Sequence, residues 1–406
     1  MKIKLITIIL VFSVLCMPQT VFAVNGSRLI GAGAVSPVMG GTGCVEPQDT
    51  SAMMINPAGI TKIGNRVDAA LEFALIDAKL DTSAAAHPWF RNSAGMQESK
   101  DGHIWLPHFG FSERYKDSDW YYGFATAIVS GLKVDYKSSR LSGAIITNND
   151  FDKHIESYTV EFVPTVAYKP CEKLSLGASG VATMNYLKGD ISTSAFTETE
   201  GRNHADMALG LGFNLGIIYD ICDYLSAGFA FKSMRWNDEF HKYDDVAKEI
   251  DGAPEYIMGI ALKPNHDLLI ESNVKFIDWT AVDIFGHGPT NRGYGWRSQW
   301  VFGVGAQYNV SEKLKMRIGY CYGESPIKNN VLYANALLSL ISEHHLGIGL
   351  GYQFNKNFSV DAGWIHTFKN SITETGLGDA YSVNGKGTVA QLGVDSFLLG
   401  FSYYFD

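Results

Sequence analysis

From about residue 67 onward the chain alternates apolar and polar residues in some fourteen runs. Their connections switch regularly between turns of about three to five residues and loops of roughly sixteen to twenty-four. A closed antiparallel ring puts every odd connection on one rim and every even one on the other, so this rhythm predicts an all-β, 14-stranded transmembrane β-barrel. The short turns fall at 116–118, 169–173, 220–223, 263–266, 310–313 and 355–357. The long loops fall at 79–102, 133–156, 187–205, 236–253, 280–296, 323–341 and 369–390. An even strand number with both sheet ends on the short-turn, periplasmic side fits a single-chain barrel.

Alternation also assigns faces. Leu174, Leu176, Ala178, Ala182, Met184 and Tyr186 share one side of their run, with Ser175, Gly177, Ser179, Thr183 and Asn185 on the other. The same reading sends Asp68, Glu72, Glu271, Asn273, Lys275, Lys315, Arg317, Glu343, His345 and Asp361 inward, because a charge on the lipid face near the midplane costs about 2–4 kcal/mol. In the last run Phe397, Leu399, Phe401, Tyr403 and Phe405 are spaced by two and followed by Asp406. That pattern is similar to the C-terminal targeting strand engaged by the barrel-assembly machinery.

Residues 1–23 carry Lys2 and Lys4, an apolar run over 5–17, and Val21-Phe22-Ala23, which reads as a secretory signal cleaved after Ala23. The apolar run is short of the ~20 residues a spanning helix needs. For a secreted chain of this kind the location read is the bacterial outer membrane. The net charge of -9, deepening to about -11 without Lys2 and Lys4, argues against nucleic acid. Cys44, Cys171, Cys222 and Cys321 have no metal-site spacing; free thiols are expected, with a Cys171–Cys222 disulfide geometrically conceivable. No cofactor is expected.

Before the first run, residues 24–66 are rich in Gly and small side chains, too apolar for a disordered tail. Gly31-Ala32-Gly33-Ala34-Val35, Gly40-Gly41-Thr42-Gly43 and Asn56-Pro57-Ala58-Gly59-Ile60-Thr61 closely resemble the N-terminal hatch of the FadL family (FadL/OMPP1/TodX) of outer-membrane transporters for long-chain fatty acids and other hydrophobic compounds. The resemblance continues through Arg317-Ile318-Gly319-Tyr320-Cys321-Tyr322, Ser325-Pro326, His345, Gly349-Leu350-Gly351-Tyr352, and Pro164 with Ala167-Tyr168-Lys169. It implies three parts: a signal peptide over 1–23, a hatch (plug) over 24–66 inside the lumen, and a barrel over 67–406.

The same resemblance implies gradient-driven passage of a hydrophobic cargo from an outer groove to an internal pocket, then lateral exit beside a distorted third strand once the hatch shifts. Carried onto this sequence, Asn56, Pro57, Ala58 and Gly59 fix the hatch to the wall, and Val24, Asn25, Gly26 and Ser27 lie close to the pocket. Leu141, Ile145 and Ile146 either form the outer groove or pack on their own loop. Gly123 or Gly131 marks the distorted strand. Arg317 and Lys315 either receive a carboxylate head group or pair with Glu161, Glu271 and Asp361. The expected partners are a hydrophobic small molecule, outer-membrane lipid and lipopolysaccharide, with the chain a monomer.

An enzyme is not expected: Ser342, Glu343, His344 and His345 are consecutive, and neighbouring strand residues point to opposite faces. The alternative to transport is a non-transporting receptor, adhesin or structural barrel, since a static plug has the same sequence signature.

Overall fold

A computed structural model describes residues 24–86, 95–100, 102–136, 153–189, 204–243, 249–338 and 340–405. The signal segment and the loop residues Leu141, Ile145 and Ile146 lie outside these. Fourteen long strands form one ring: β1 (Arg66–Asp81), β2 (His103–Arg114), β3 (Trp120–Tyr136), β4 (Lys153–Cys171), β5 (Leu174–Gly189), β6 (Asp206–Cys222), β7 (Leu225–Lys232), β8 (Glu255–Leu262), β9 (Leu268–Ile277), β10 (Gln299–Asn309), β11 (Leu314–Gly323), β12 (His344–Asn355), β13 (Phe358–Thr373) and β14 (Val389–Tyr404). Each pairs antiparallel with its sequence neighbour, and β14 returns to β1 in register from Tyr404↔Arg66 to Val389↔Asp81, so the ring closes.

The alternation of side chains sets the two faces. Leu209, Leu211, Phe302, Ile318, Leu399 and Phe401 are exposed on the outside, while Asp68, Glu72, Glu161, Glu271, Asn273 and Asp361 are buried on the inside. Several strands run further than the sequence expectation. Lys133 pairs with Glu156 and Tyr136 with Lys153, because inward Val134 and Tyr136 continue the alternation beyond the expected loop boundary. Among the described residues Cys44, Cys171 and Cys222 carry free thiols, so Cys171 and Cys222 are not joined.

Residues 24–65 run inside this ring and touch inner-face positions around it. Their turn at Gly43–Glu46 presents three backbone N–H groups to the buried Glu271 carboxylate of β9, at 2.9, 3.0 and 3.2 Å. Asn56 Nδ2 donates to Cys44 O at 2.7 Å and to Ile217 O of β6 at 3.2 Å, and its Oδ1 caps the short 3-10 turn Pro57–Gly59 by accepting from Ala58 N. Thr61 Oγ1 donates to Ser175 Oγ of β5. Where the segment's backbone meets the wall, the wall is glycine: a Cβ on Gly177 would sit 2.3 Å from Ala58 N, and one on Gly319 2.1 Å from Met39 C.

At the short-turn rim the segment is tied by charge. Lys62 Nζ lies 2.6 Å from Glu46 and 2.7 Å from Asp220, and Lys263 reaches Glu46 at 2.6 Å. Burial disfavours the Lys62 ammonium, but Glu46 and Asp220 outweigh it and hold its pKa above the usual lysine value. Arg66 closes the segment with a pair to Asp68 at 2.7 Å, and Asp68 in turn accepts from Thr50 N.

Candidate functional site

The third strand breaks the regularity of the ring. Below Val129 its odd residues Gly123, Ala125 and Ala127 face inward; above it Leu132, Val134 and Tyr136 do. A one-residue bulge between Ile128 and Ser130 causes this exchange of faces. The β2–β3 ladder runs from Arg114↔Tyr121 only to His108↔Ala127, although β2 stays paired to β1 as far as His103↔Leu75 and β3 to β4 as far as Tyr136. Pro107, which has no N–H to donate, sits just beyond the last pair.

The interruption faces residues 103–107, about five residues and therefore roughly 17 Å of strand. Above it the wall closes again, where Lys100 N donates to Asp135 O at 2.9 Å and Asp135 N to Ser99 Oγ at 3.0 Å. Gly131 is thus two residues from the distortion. Gly123 is not at it: it lies in unbroken ladders opposite Ser112 and Thr165, and its missing Cβ makes room for Met53.

Behind the interrupted strand lies a cavity of about 90 Å³. Leu132, Ile155 and Leu187 line it from the upper ends of β3, β4 and β5, and loop residues Phe240, Trp279, Phe285, Tyr294, Trp296, Leu338 and Leu340 cover it. The aromatic wall is tightly packed: Trp279 meets Phe285 at 5.2 Å and Trp296 at 5.1 Å, both edge to face, and Phe285 stacks on Trp296 at 4.6 Å. Each indole N–H is satisfied outside the cavity, Trp279 Nε1 by Gln299 Oε1 and Trp296 Nε1 by Asn335 Oδ1. The rings are left as apolar surface.

The floor is charged. Ser27 and Arg28 line the cavity from the N-terminal segment, with Arg235 and Asp251 from the loop after β7. Arg28 Nε is 3.1 Å from Glu255 and its Nη1 3.5 Å from Glu161; Arg235 Nε is 3.0 Å from Glu161, and Lys232 Nζ 3.1 Å from Glu255. Lys275 stands two register positions along the neighbouring strand from Glu255. Three cations thus pair with the two glutamates, with Lys275 on the adjacent strand, and Asp251 adds one carboxylate. Burial pushes the Asp251 carboxyl up, against the hydrogen bond it accepts from Asn237 N.

The structure brings some of the expected residues together and separates others. Gly26 has a left-handed φ of 62° and lies over the Trp279 indole, and Ser27 lines the cavity; Val24 and Asn25 form a two-residue ladder with Leu29 and Arg28. Asn56, Pro57, Ala58 and Gly59 are buried between Cys44 and the walls of β5 and β6, away from the cavity. Arg317 and Lys315 lie near the short-turn end of β11 and do not line it. Arg317 is engaged by Asp361 at 2.5 Å and Gln307 at 2.7 Å, the structural alternative raised for it. Sequence reasoning missed Arg28 and Arg235 because both fall outside the strands, where inward direction cannot be read from alternation. An arginine flanked by Met234 and Trp236 at a strand end was the available signal.

Residues 22–405 match the family model for outer membrane protein transport proteins (OMPP1/FadL/TodX). Among solved structures, the Pseudomonas putida toluene transporter TodX superposes with a TM-score of 0.70 at 17% identity, covering 93% of this chain and 99% of its own. A Pseudomonas aeruginosa FadL homologue gives 0.67 at 15% (94% and 100%), and the Ralstonia pickettii toluene transporter TbuX 0.65 at 17% (93% and 99%). A Neisseria meningitidis serogroup B protein described as an outer membrane protein is 30% identical over 93 residues, 23% of this chain and 20% of its own length. A closed 14-stranded ring with an apolar outer face, matched by this model over nearly its whole length, is a multi-pass barrel of the bacterial outer membrane, and the chain belongs to the OMPP1/FadL/TodX family of outer-membrane transport proteins.

Proposed function

We propose that this protein carries hydrophobic small molecules across the outer membrane by capture in the aromatic cavity and lateral release between β2 and β3, with residues 24–66 acting as a hatch that blocks the straight route to the periplasm. The observation that carries this reading is that Ser130, Gly131 and Leu132 belong at once to the cavity wall and to the strand whose ladder is interrupted. A molecule leaving the cavity past these residues meets the membrane and never crosses the lumen. The axial route is occupied by the Glu271 contacts, the Asn56 anchor and the Lys62–Glu46–Lys263 network. Burying a dozen methylenes supplies ~10 kcal/mol before ordering costs, so the cargo gradient suffices as driving force.

The floor favours a cargo with an anionic head, of which a long-chain fatty acid is the simplest. Arg28 and Arg235 line the cavity against a single lining carboxylate, Asp251. A neutral aromatic hydrocarbon is the second reading, favoured by the Trp279, Phe285 and Trp296 wall. At about 90 Å³ the cavity is smaller than the ~150 Å³ that holds a benzene ring in an engineered protein core, so either cargo enters fully only when a wall shifts.

Uptake of labelled oleate and labelled toluene by cells lacking their own transporter tests this, with a variant lacking Val129 alongside. Saturable uptake of one compound that the deletion abolishes, in a correctly inserted barrel, supports capture and lateral release and identifies the cargo class. No uptake above empty cells moves a non-transporting receptor or structural barrel forward. As a transporter the chain acts as a monomer among outer-membrane lipid and lipopolysaccharide, after insertion by the barrel-assembly machinery through β14.

A further inference from the structure

The N-terminal segment is held over the cavity by one residue whose two ends do different things. The backbone of Arg28 pairs with Ser130, immediately after the β3 bulge, while its guanidinium reaches across to Glu161 of β4 and Glu255 of β8. All of these side chains are buried, Arg28 to 7% exposure and the glutamates to 2% and 1%. Withdrawing a cation from a buried carboxylate is ordinarily strongly unfavourable because the charge is left unpaired.

Here it is not left so. Glu161 keeps Arg235 at 3.0 Å and Glu255 keeps Lys232 at 3.1 Å. Arg235 is itself fixed, since its Nη1 donates to Ser233 O and its Nη2 to Asn214 Oδ1, each at 2.8 Å. Arg28 is the cation both glutamates can lose.

We propose that Arg28 is an exchangeable latch: the anionic head of an amphiphile in the cavity takes its guanidinium from Glu161 and Glu255, and the exchange is transmitted through the Arg28 backbone to Ser130 and the interrupted β2–β3 wall. Head-group recognition and opening of the exit are then one event. This rests on the cavity being the cargo site for an anion-bearing molecule, and it makes Arg28 the residue that sets the preference for charged over neutral cargo of equal length.

The test compares uptake of oleate and oleyl alcohol by the full-length protein, by Arg28→Gln and by Arg28→Lys, in cells lacking their own transporter and with insertion checked by heat-modifiable migration. The wild type is expected to prefer oleate at least tenfold, Arg28→Gln to lose that preference while still passing the alcohol, and Arg28→Lys to restore most of it. An unchanged oleate-to-alcohol ratio in Arg28→Gln overturns the latch alone; uptake of neither compound by the wild type overturns transport and latch together.

A readout that leaves Arg28 in place is a bimane label at Ser27→Cys, quenched by the nearby Trp279, in a Cys171→Ser, Cys222→Ser background. Oleate is expected to relieve the quenching and oleyl alcohol to leave it. Equal responses overturn the proposal.

Discussion

Glu271 gives the sharpest test of the proposed hatch role of residues 24–66. Its carboxylate is fully buried and accepts from Gly43 N at 2.9 Å, Val45 N at 3.0 Å and Glu46 N at 3.2 Å. Glu271→Ala removes the acceptor of all three. At ~1.5–3 kcal/mol for each bond to a charged group, the gross loss is about 4–9 kcal/mol. Water reaching the freed N–H groups returns much of this, yet a remainder of ~2 kcal/mol raises the population of a displaced segment roughly thirtyfold. The β9 ladders involve only backbone, so the barrel itself is expected to stay folded. Single-channel recording in planar bilayers is expected to show intermittent ion conductance in Glu271→Ala and an intermediate leak in Glu271→Gln, which keeps one acceptor oxygen. A correctly folded Glu271→Ala barrel as quiet as the wild type refutes this turn as a hatch anchor.

Gly177→Ala drives a methyl group into the backbone of Pro57 and Ala58 and is expected to produce a similar leak. Gly180→Ala, whose nearest neighbour is Pro164 Cγ at 4.0 Å, is the silent control in the same recording. Trp296→Ala removes the ring stacked on Phe285 and is expected to raise the half-saturation concentration for uptake roughly ten- to hundredfold. Deleting Val129 restores a continuous inward–outward alternation along β3. It is expected to abolish uptake of hydrophobic cargo while heat-modifiable migration still reports a folded barrel.

The barrel was legible because a strand buried on one side writes its orientation into every second residue; Glu271, Asp361 and Leu399 each take the face their parity requires. The contact of Asn56 with the wall was expected only from the resemblance of its motif to the family's N-terminal segment; the structure adds the local reason, a capping amide followed by a proline at the first position of a turn. The cavity was not legible. Its wall gathers Phe240, Trp279, Trp296 and Leu340 from three loops with no shared period, and only tertiary folding makes them neighbours. Lys315 and Arg317 were read as inward cations, and the turn expected at 310–313 already set them by the short-turn rim, where Arg317 pairs with Asp361; what alternation could not give was the place of the cavity, under the long loops at the other end. The bulge left one trace, the consecutive apolar pair Ile128-Val129 ahead of Ser130-Gly131, where the two-residue period slips.

The glycine-to-backbone contacts along the inner wall also bear on biogenesis. A segment seated so closely that one methyl group on Gly177 or Gly319 collides with its main chain cannot be threaded into a finished cylinder past the side chains of the rim. It joins β1 directly, and β1 forms the seam with β14, the last strand to be made. Residues 24–65 must therefore be seated before that seam closes. Closure of the seam becomes the step that encloses its own contents, and premature pairing of β14 with β1 would yield a ring sealed in the membrane with the wrong interior.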